Sequence, residues 1–239
     1  MISRAEAQRR IAAHPHWYHR IEVLPGLFTP GINDSAEALA RIELAGLPRD
    51  CVGMRALDVG CRDGFFAFEL ERRGATVVGV DAVAPDGTGF SIASGILESK
   101  VEYRVDNVYN LTAERLGRFD IVLFLGVVYH LRHPLLALER LREVCNEGAL
   151  IVCESEASQN PQALKSAAAL WELVPHGQHE DASVKWLPTP KGFAAAIADS
   201  RFEVIHSAGY GARCVAGARA VAASSLAAQQ HFDRAARQG

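Results

Sequence analysis

The chain has 239 residues, of which 49% are apolar, and a formal net charge of −3. That length suits one large domain with a sizeable core, and the mild acidity argues against a general nucleic-acid binder. No apolar run approaches the ~20 residues of a membrane helix, and the start, MISRAEAQRRIAAHPHW, lacks the apolar stretch of a secretory signal.

The first 50 residues stand apart as an N-terminal cover segment. They hold a short helix (Ala5–Ala13), an aromatic-histidine cluster (HPHWYH), a Pro/Gly-rich stretch (LPGLFTPG) and a helix from Ser35 to Leu47 capped by Asn33 or Asp34. Strands and helices then alternate. The pattern predicts strands at Arg55–Val59, Thr76–Val80, Val101–Val105, Asp120–Leu125 and Ala149–Cys153. It predicts helices at Gly64–Arg73, stopped by Gly74, and at Pro134–Cys145, with proline in its first turn. Residues 156–189 have weak periodicity and read as a lid insertion. A helix (Lys191–Asp199) and two strands (Phe202–Ser207 and Ala216–Ala223) follow, and the short link between those strands favours an antiparallel hairpin at the sheet edge. The domain ends near residue 225, and the Ala/Gln-rich tail after it reads as a frayed helix.

Continuous apolar strands between helices point to an α/β, Rossmann-like, doubly wound sheet, mostly parallel and seven-stranded, with an antiparallel last strand. The five cysteines, Cys51, Cys61, Cys145, Cys153 and Cys214, form no CxxC pair and read as reduced core thiols of a cytoplasmic protein.

The stretch RALDVGCRDGFFAFELERRGATVVGVDAV runs strand, glycine turn, helix, strand, and ends on an acid. Its turn, DVGCRDG, lacks the G-x-G-x-x-G of a dinucleotide site, which disfavours an NAD-linked oxidoreductase. A cofactor without phosphates needs less of that close approach, and S-adenosylmethionine fits. Asp58, Gly60, Cys61 and Gly64 are then candidates for its amino-acid end, and Asp81 for its ribose. Asp106 and Asn107 are candidates for its adenine. Each acid alone could be a cap or a solvated loop residue. Three polar groups at successive strand ends together favour a ligand crevice.

The next strand runs into LGVVYHLRHP. Leu125 and Tyr129 are candidates to close on the cofactor. His130 reads either as a general base or as a structural histidine bonded to the backbone. His133 is a substrate-side candidate, with a helix-capping role as the simpler reading. Glu154 could orient or deprotonate an acceptor, or cap a turn. In HPHWYH, Trp17 and Tyr18 could form an aromatic wall against a substrate or simply pack, with His19 near the acceptor. A metal site built from His14, His16 and His19 with His176 and His179 is disfavoured, since no carboxylate lies within the first cluster.

From Arg55 to Glu154 the chain resembles a class I S-adenosylmethionine-dependent methyltransferase domain. FDIVLFLGVVYHLRHPLLALERLREVCNEGALIVCES and VKWLPTPKGFAAAIADSRFEVI resemble, more narrowly, the branch containing the tRNA wobble-uridine carboxymethyltransferase. WYHRIEVLPGLFTPG is similar to short relatives of that enzyme that look like small-molecule methyltransferases. The resemblance implies S-adenosyl-L-methionine as cofactor and S-adenosyl-L-homocysteine as product, on the residues named above. It departs in two respects: the branch grips a carboxylated cofactor partly through a lysine ahead of the first motif, whereas this chain has no lysine before Lys100, and the chain is expected to lack most of that enzyme's long N-terminal extension. Arg20 is an imperfect substitute.

The expected function is methylation of a small molecule, most readily at a hydroxyl of a natural-product or sugar-like acceptor, without a membrane partner. The rivals are tRNA wobble-uridine modification, which would require a basic face, and a non-catalytic cofactor-binding subunit. The acceptor's identity and the oligomeric state have no readable code.

Overall fold

The computed structural model describes residues 2–33 and 35–221. Helix α1 (Arg4–Ala12) starts where the Ser3 side chain accepts the N–H of Glu6. A small hairpin, β1 (Glu22–Leu24) and β2 (Leu27–Phe28), and helix α2 (Ser35–Leu44) complete the N-terminal segment. The alternating part comprises β3 (Arg55–Val59), α3 (Phe65–Arg72), β4 (Thr76–Asp81), α4 (Phe90–Leu97) and β5 (Glu102–Val105). It continues through α5 (Ala113–Leu116), β6 (Phe119–Leu125), α6 (Pro134–Glu143) and β7 (Cys145–Glu156). After it come α7 (Pro161–Lys165), a second hairpin of β8 (Trp171–Leu173) and β9 (Trp186–Pro188), then α8 (Pro190–Asp199), β10 (Phe202–Tyr210) and β11 (Arg213–Ala220).

Seven strands form one sheet in the order β10-β11-β7-β6-β3-β4-β5. The five from β3 to β7 pair in parallel, and β11 lies between β7 and β10, antiparallel to both. The chain winds one way from β3 through β4 and β5, and the other way through β6 and β7. A crevice therefore opens at the carboxyl ends of β3 and β6, where the order reverses.

The central strands β3, β4, β6 and β7 are largely apolar because both faces are covered, whereas the edge strands β5 and β10 carry exposed polar residues. On one face Leu57, Val122, Phe124 and Ile151 pack with Leu138 of α6 and Phe193 of α8. On the other, Ala56, Ile121, Leu123 and Val152 pack with Ile42 of α2 and Leu70 of α3. All five cysteines are buried and unpaired.

Several boundaries differ from the sequence reading. Helix α2 stops at Leu44 because the chain turns at Gly46, whose φ of 107° is left-handed. Helix α3 begins one residue after Gly64, and β7 runs well beyond the expected Ala149–Cys153. Helix α4 was not anticipated, since FSIASGIL carries serine and glycine and no polar face. The last strand ends at Ala220. Asp34 and the tail expected to form a frayed helix lie outside the described residues.

Candidate active site

A cavity of about 400 Å³ occupies the crevice, lined by Asp58, Asp81, Asp106, Asn107, Leu125 and Glu154, among others. These six residues come from the ends of five adjacent strands, β3 to β7, so the parallel sheet itself gathers groups far apart in sequence.

Asp58 is 2% exposed, and its Oδ2 has no hydrogen-bond partner among the described residues. Burial, reinforced by the charge of Asp81, pushes its carboxyl up to about 7. A buried carboxylate oxygen left without a partner in a cavity wall calls for a cationic or N–H donor from a ligand.

Asp81 accepts the N–H of Arg62 on Oδ2 and of Val83 on Oδ1, each at 2.9 Å. These bonds fix the carboxylate, which retains further lone pairs to accept ligand hydroxyls. Arg62 sits where a dinucleotide turn would have glycine, at a φ of 47°. Its N–H is tied to Asp81, and its carbonyl accepts from Thr88 Oγ1 at 3.0 Å, which holds the unfavourable conformation in place.

Asp106 is more heavily engaged. Its Oδ1 accepts from the Asn107 N–H and from Asn110, and its Oδ2 pairs with Arg115 at 2.6 Å. Although burial opposes it, these bonds hold the carboxyl below its ordinary value. Asn107 spends its side-chain carbonyl capping the N–H of Tyr109.

Of the two motif glycines, Gly60 lines the cavity, and a Cβ there would meet Val127 Cγ2 at 2.3 Å. Gly64 does not line it. Its absent side chain makes room for the rings of Phe68 and Phe90, so it serves the packing of the α3 N-terminus. Cys61 is buried beneath the turn, its Sγ toward Gly79, outside the cavity lining.

The cavity is also lined by Tyr18, His19, Tyr129, His130 and Arg213, with Glu154 beside Arg213. Glu154 is not a free base: Arg213 grips both carboxylate oxygens, Nε on Oε1 and Nη2 on Oε2, the latter at 2.8 Å. Burial works against the Arg213 charge, but Glu154 outweighs it and leaves the guanidinium above its ordinary value. Arg213 Nη1 also donates to the Tyr129 hydroxyl at 3.3 Å.

His19 is 5% exposed, and burial lowers its pKa to about 4 despite the nearby Asp63. It therefore faces the cavity as a neutral ring. Burial also lowers the pKa of His130, whose Nδ1 lies 2.9 Å from Ser183 Oγ.

Two residues assigned to the substrate side stand elsewhere. Trp17 is buried against Gly89, its indole N–H donating to the Ile11 carbonyl at 3.0 Å, so it packs the N-terminal segment rather than walling the cavity. His133 precedes α6 and lines a separate apolar groove with Trp171 and Trp186. No group of three potential metal ligands gathers among the described residues, and His179 instead pairs with Glu156 at 2.9 Å.

Sequence reasoning passed over Asp63, Arg213 and Asp181. Asp63 is fully buried, and its Oδ2 accepts the N–H of Tyr18 at 2.6 Å and of His19 at 2.9 Å. Its Oδ1 accepts the Gly89 N–H at 3.1 Å. Its place inside DVGCRDG was the available signal. Arg213, at the head of the last strand, and Asp181, in the aperiodic segment, gave no local sign.

A left-handed glycine turn, a buried carboxylate with one unpartnered oxygen at the first strand and an acid at the end of the second make the strand-end opening a cofactor-binding crevice of the doubly wound class. The residues fit S-adenosylmethionine: Asp58 lacks a donor that an ammonium would supply, and Asp81 is pre-set to accept hydroxyls. The sequence pattern of the methyltransferase domain family matches residues 33–207, and the chain belongs to that family.

Among curated relatives, the ubiquinone biosynthesis O-methyltransferase of Cereibacter sphaeroides is 37% identical over 139 residues, covering 54% of this chain and 53% of the relative. That of Ruegeria pomeroyi is 32% identical over 143 residues, covering 56% and 55%. The chain thus spans about half the length of the curated relatives it matches. Among solved structures, the N-terminal domain of EvdMO1, determined with SAH and D-fucose, superposes with a TM-score of 0.64. It is 23% identical and covers 92% of this chain and 98% of that one. The Burkholderia thailandensis 1,6-didemethyltoxoflavin-N1-methyltransferase gives 0.59 at 17% identity, covering 79% and 78%. At these identities the structural likeness establishes the fold. No helix among the described residues is long and apolar enough to cross a membrane.

Proposed function

We propose that the chain methylates a hydroxyl of a small polar molecule. The observation that carries this reading is the polar part of the cavity lining, where Tyr18, His19, Tyr129, His130, Asp181 and Arg213 can offer hydrogen-bonding groups to an acceptor. S-adenosylmethionine, when bound, supplies a methyl already made electrophilic by its sulfonium. The chain's own residues then have three tasks. Asp58 and Asp81 hold the cofactor, with Asp106 and Asn107 beside the adenine and Leu125 and Tyr129 against its body. Tyr18 and His19, fastened by Asp63, close the cavity from the N-terminal side, and residues 156–189 close it from the other. His130, kept neutral by its environment, is the group best placed to take a hydroxyl proton, because Glu154 is engaged by Arg213.

The names of the relatives support small-molecule acceptors: an O-methyltransferase of ubiquinone biosynthesis, and a domain crystallised in the presence of D-fucose. The narrower likeness to the tRNA carboxymethyltransferase branch finds no support among the relatives named above. The test is transfer of labelled methyl from S-adenosylmethionine to a panel of phenols, catechols and deoxysugars. Turnover of a hydroxylated compound supports the reading. Turnover of tRNA alone, or tight cofactor binding with no turnover of any acceptor, would replace it with one of the two rivals.

A further inference from the structure

The segment after β8 sends one short loop back to the cavity. Lys185 donates its backbone N–H to the Tyr129 carbonyl at 2.8 Å, which lays residues 181–185 along the turn that carries His130. Within that loop Asp181 Oδ1 accepts the N–H of Ser183 at 2.8 Å and its hydroxyl at 2.5 Å. Ser183 Oγ also lies 2.9 Å from His130 Nδ1. Three side chains from two distant parts of the sequence therefore form one line: Asp181, Ser183, His130.

The order of donors along this line follows from the number of protons. A serine hydroxyl has one proton to give. The hydrogen bonds from Ser183 hold Asp181 below its ordinary pKa, so it is an ionised acceptor. The hydroxyl proton thus goes to Asp181, and Ser183 Oγ meets His130 with a lone pair. The imidazole nitrogen facing it must carry the hydrogen. We propose that Asp181 and Ser183 are positioning residues that hold His130 with its proton on Nδ1 and leave Nε2 as the basic nitrogen for the acceptor hydroxyl.

The catalytic use of this arrangement rests on the methyl-transfer reading above. The bond broken is the acceptor O–H, its electron pair staying on oxygen, and the bond formed is Nε2–H. The positive charge so created on His130 is stabilised by the Asp181 carboxylate beyond Ser183. Other charged groups bear on the ring as well: Glu156 favours the imidazolium and Arg213 disfavours it, while the Tyr129 ring packs at 4.1 Å between centroids. The device links the segment read as a lid to the chemistry, since the base is correctly protonated only when residues 181–183 are seated.

Histidine-labelled full-length protein at pH 8 provides the test, by long-range proton–nitrogen correlation, with the His130 signals assigned through His130→Gln. The expected spectrum shows His130 protonated at Nδ1. Ser183→Ala and Asp181→Asn move it toward the Nε2-protonated or mixed form, and Ser183→Thr restores it. An Nε2-protonated His130 in the wild type, or a tautomer unmoved by Ser183→Ala, overturns the proposal whether or not an acceptor is known. With an acceptor in hand, Ser183→Ala lowers kcat roughly tenfold at unchanged S-adenosylmethionine affinity, and Ser183→Thr recovers most of it. Full activity in His130→Gln overturns the assignment of the base while leaving the methyl-transfer reading intact.

Discussion

The carboxylate of Asp63 and the backbone of His19 are joined across the whole N-terminal segment: Oδ2 accepts the His19 N–H at 2.9 Å, 44 residues away in sequence. Through this one side chain the turn after β3 is fastened to the segment that covers the cavity, and through Gly89 to the start of α4. A rigid cofactor turn and a seated cover are therefore one structural unit.

Replacing Asp63 by Ala leaves three backbone N–H groups without their acceptor. At roughly 1–3 kcal/mol for each buried orphan, partly relieved by water, the expected loss is about 3–5 kcal/mol. Urea unfolding measures that loss. Trypsin digestion should show earlier cleavage after Arg20, and unchanged stability with unchanged digestion would contradict the fastening role.

Asp58 gives a pH dependence to cofactor binding. Its carboxyl, pushed up to about 7, is largely protonated at pH 6 and must ionise to meet an ammonium. Affinity for S-adenosylmethionine should therefore rise by up to about tenfold between pH 6 and 7.5, with proton release on binding near pH 7. Titration calorimetry in buffers of different ionisation enthalpy reads both, and Asp58→Asn should bind weakly with no such slope.

His19 and Asp58 act on stability with opposite signs. His19 is lowered to about 4, below its unfolded value, so the unfolded chain binds the extra proton and stability falls as pH drops from about 6.5 toward 4. The contribution is at most about 3 kcal/mol. Asp58 is raised, so its contribution favours the fold at low pH and is lost as pH rises through about 7. Denaturant unfolding at pH 5 and 7 separates them: His19→Gln should lessen the loss at pH 5, and Asp58→Asn should increase it.

The Arg213–Glu154 pair should couple strongly. Glu154 and Arg213 side chains are only 12% and 27% exposed, and the contact is bidentate. A double-mutant cycle with Glu154→Ala and Arg213→Ala is expected to give about 1–3 kcal/mol of coupling, reduced from a fully buried value by solvent. A coupling near zero would leave Glu154 available as a base.

What the sequence revealed and what it concealed divide along physical lines. The strands β3, β4, β6 and β7 were legible because burial on both faces leaves long apolar runs, and the acids at their ends stand out against them. Asp58, Asp81, Asp106 and Glu154 could be gathered into one crevice because a parallel sheet forces its strand ends together. Pair partners were not legible. That Arg213 occupies Glu154 depends on β11 slotting beside β7, and that Asp181 lies near His130 depends on an aperiodic loop folding back. Trp17 shows a different limit: an aromatic in a suggestive cluster could be a cavity wall or simple packing, and the packing role is the one observed, with the indole N–H on the Ile11 carbonyl.

The most direct test of the account is a calorimetric titration of the wild type and of Asp81→Asn with S-adenosylmethionine. The account predicts saturable one-site binding by the wild type and at least tenfold weaker binding by the variant, with its unfolding midpoint little changed. Absence of binding to the wild type, or equal binding by both proteins, would contradict the assignment of the crevice to this cofactor.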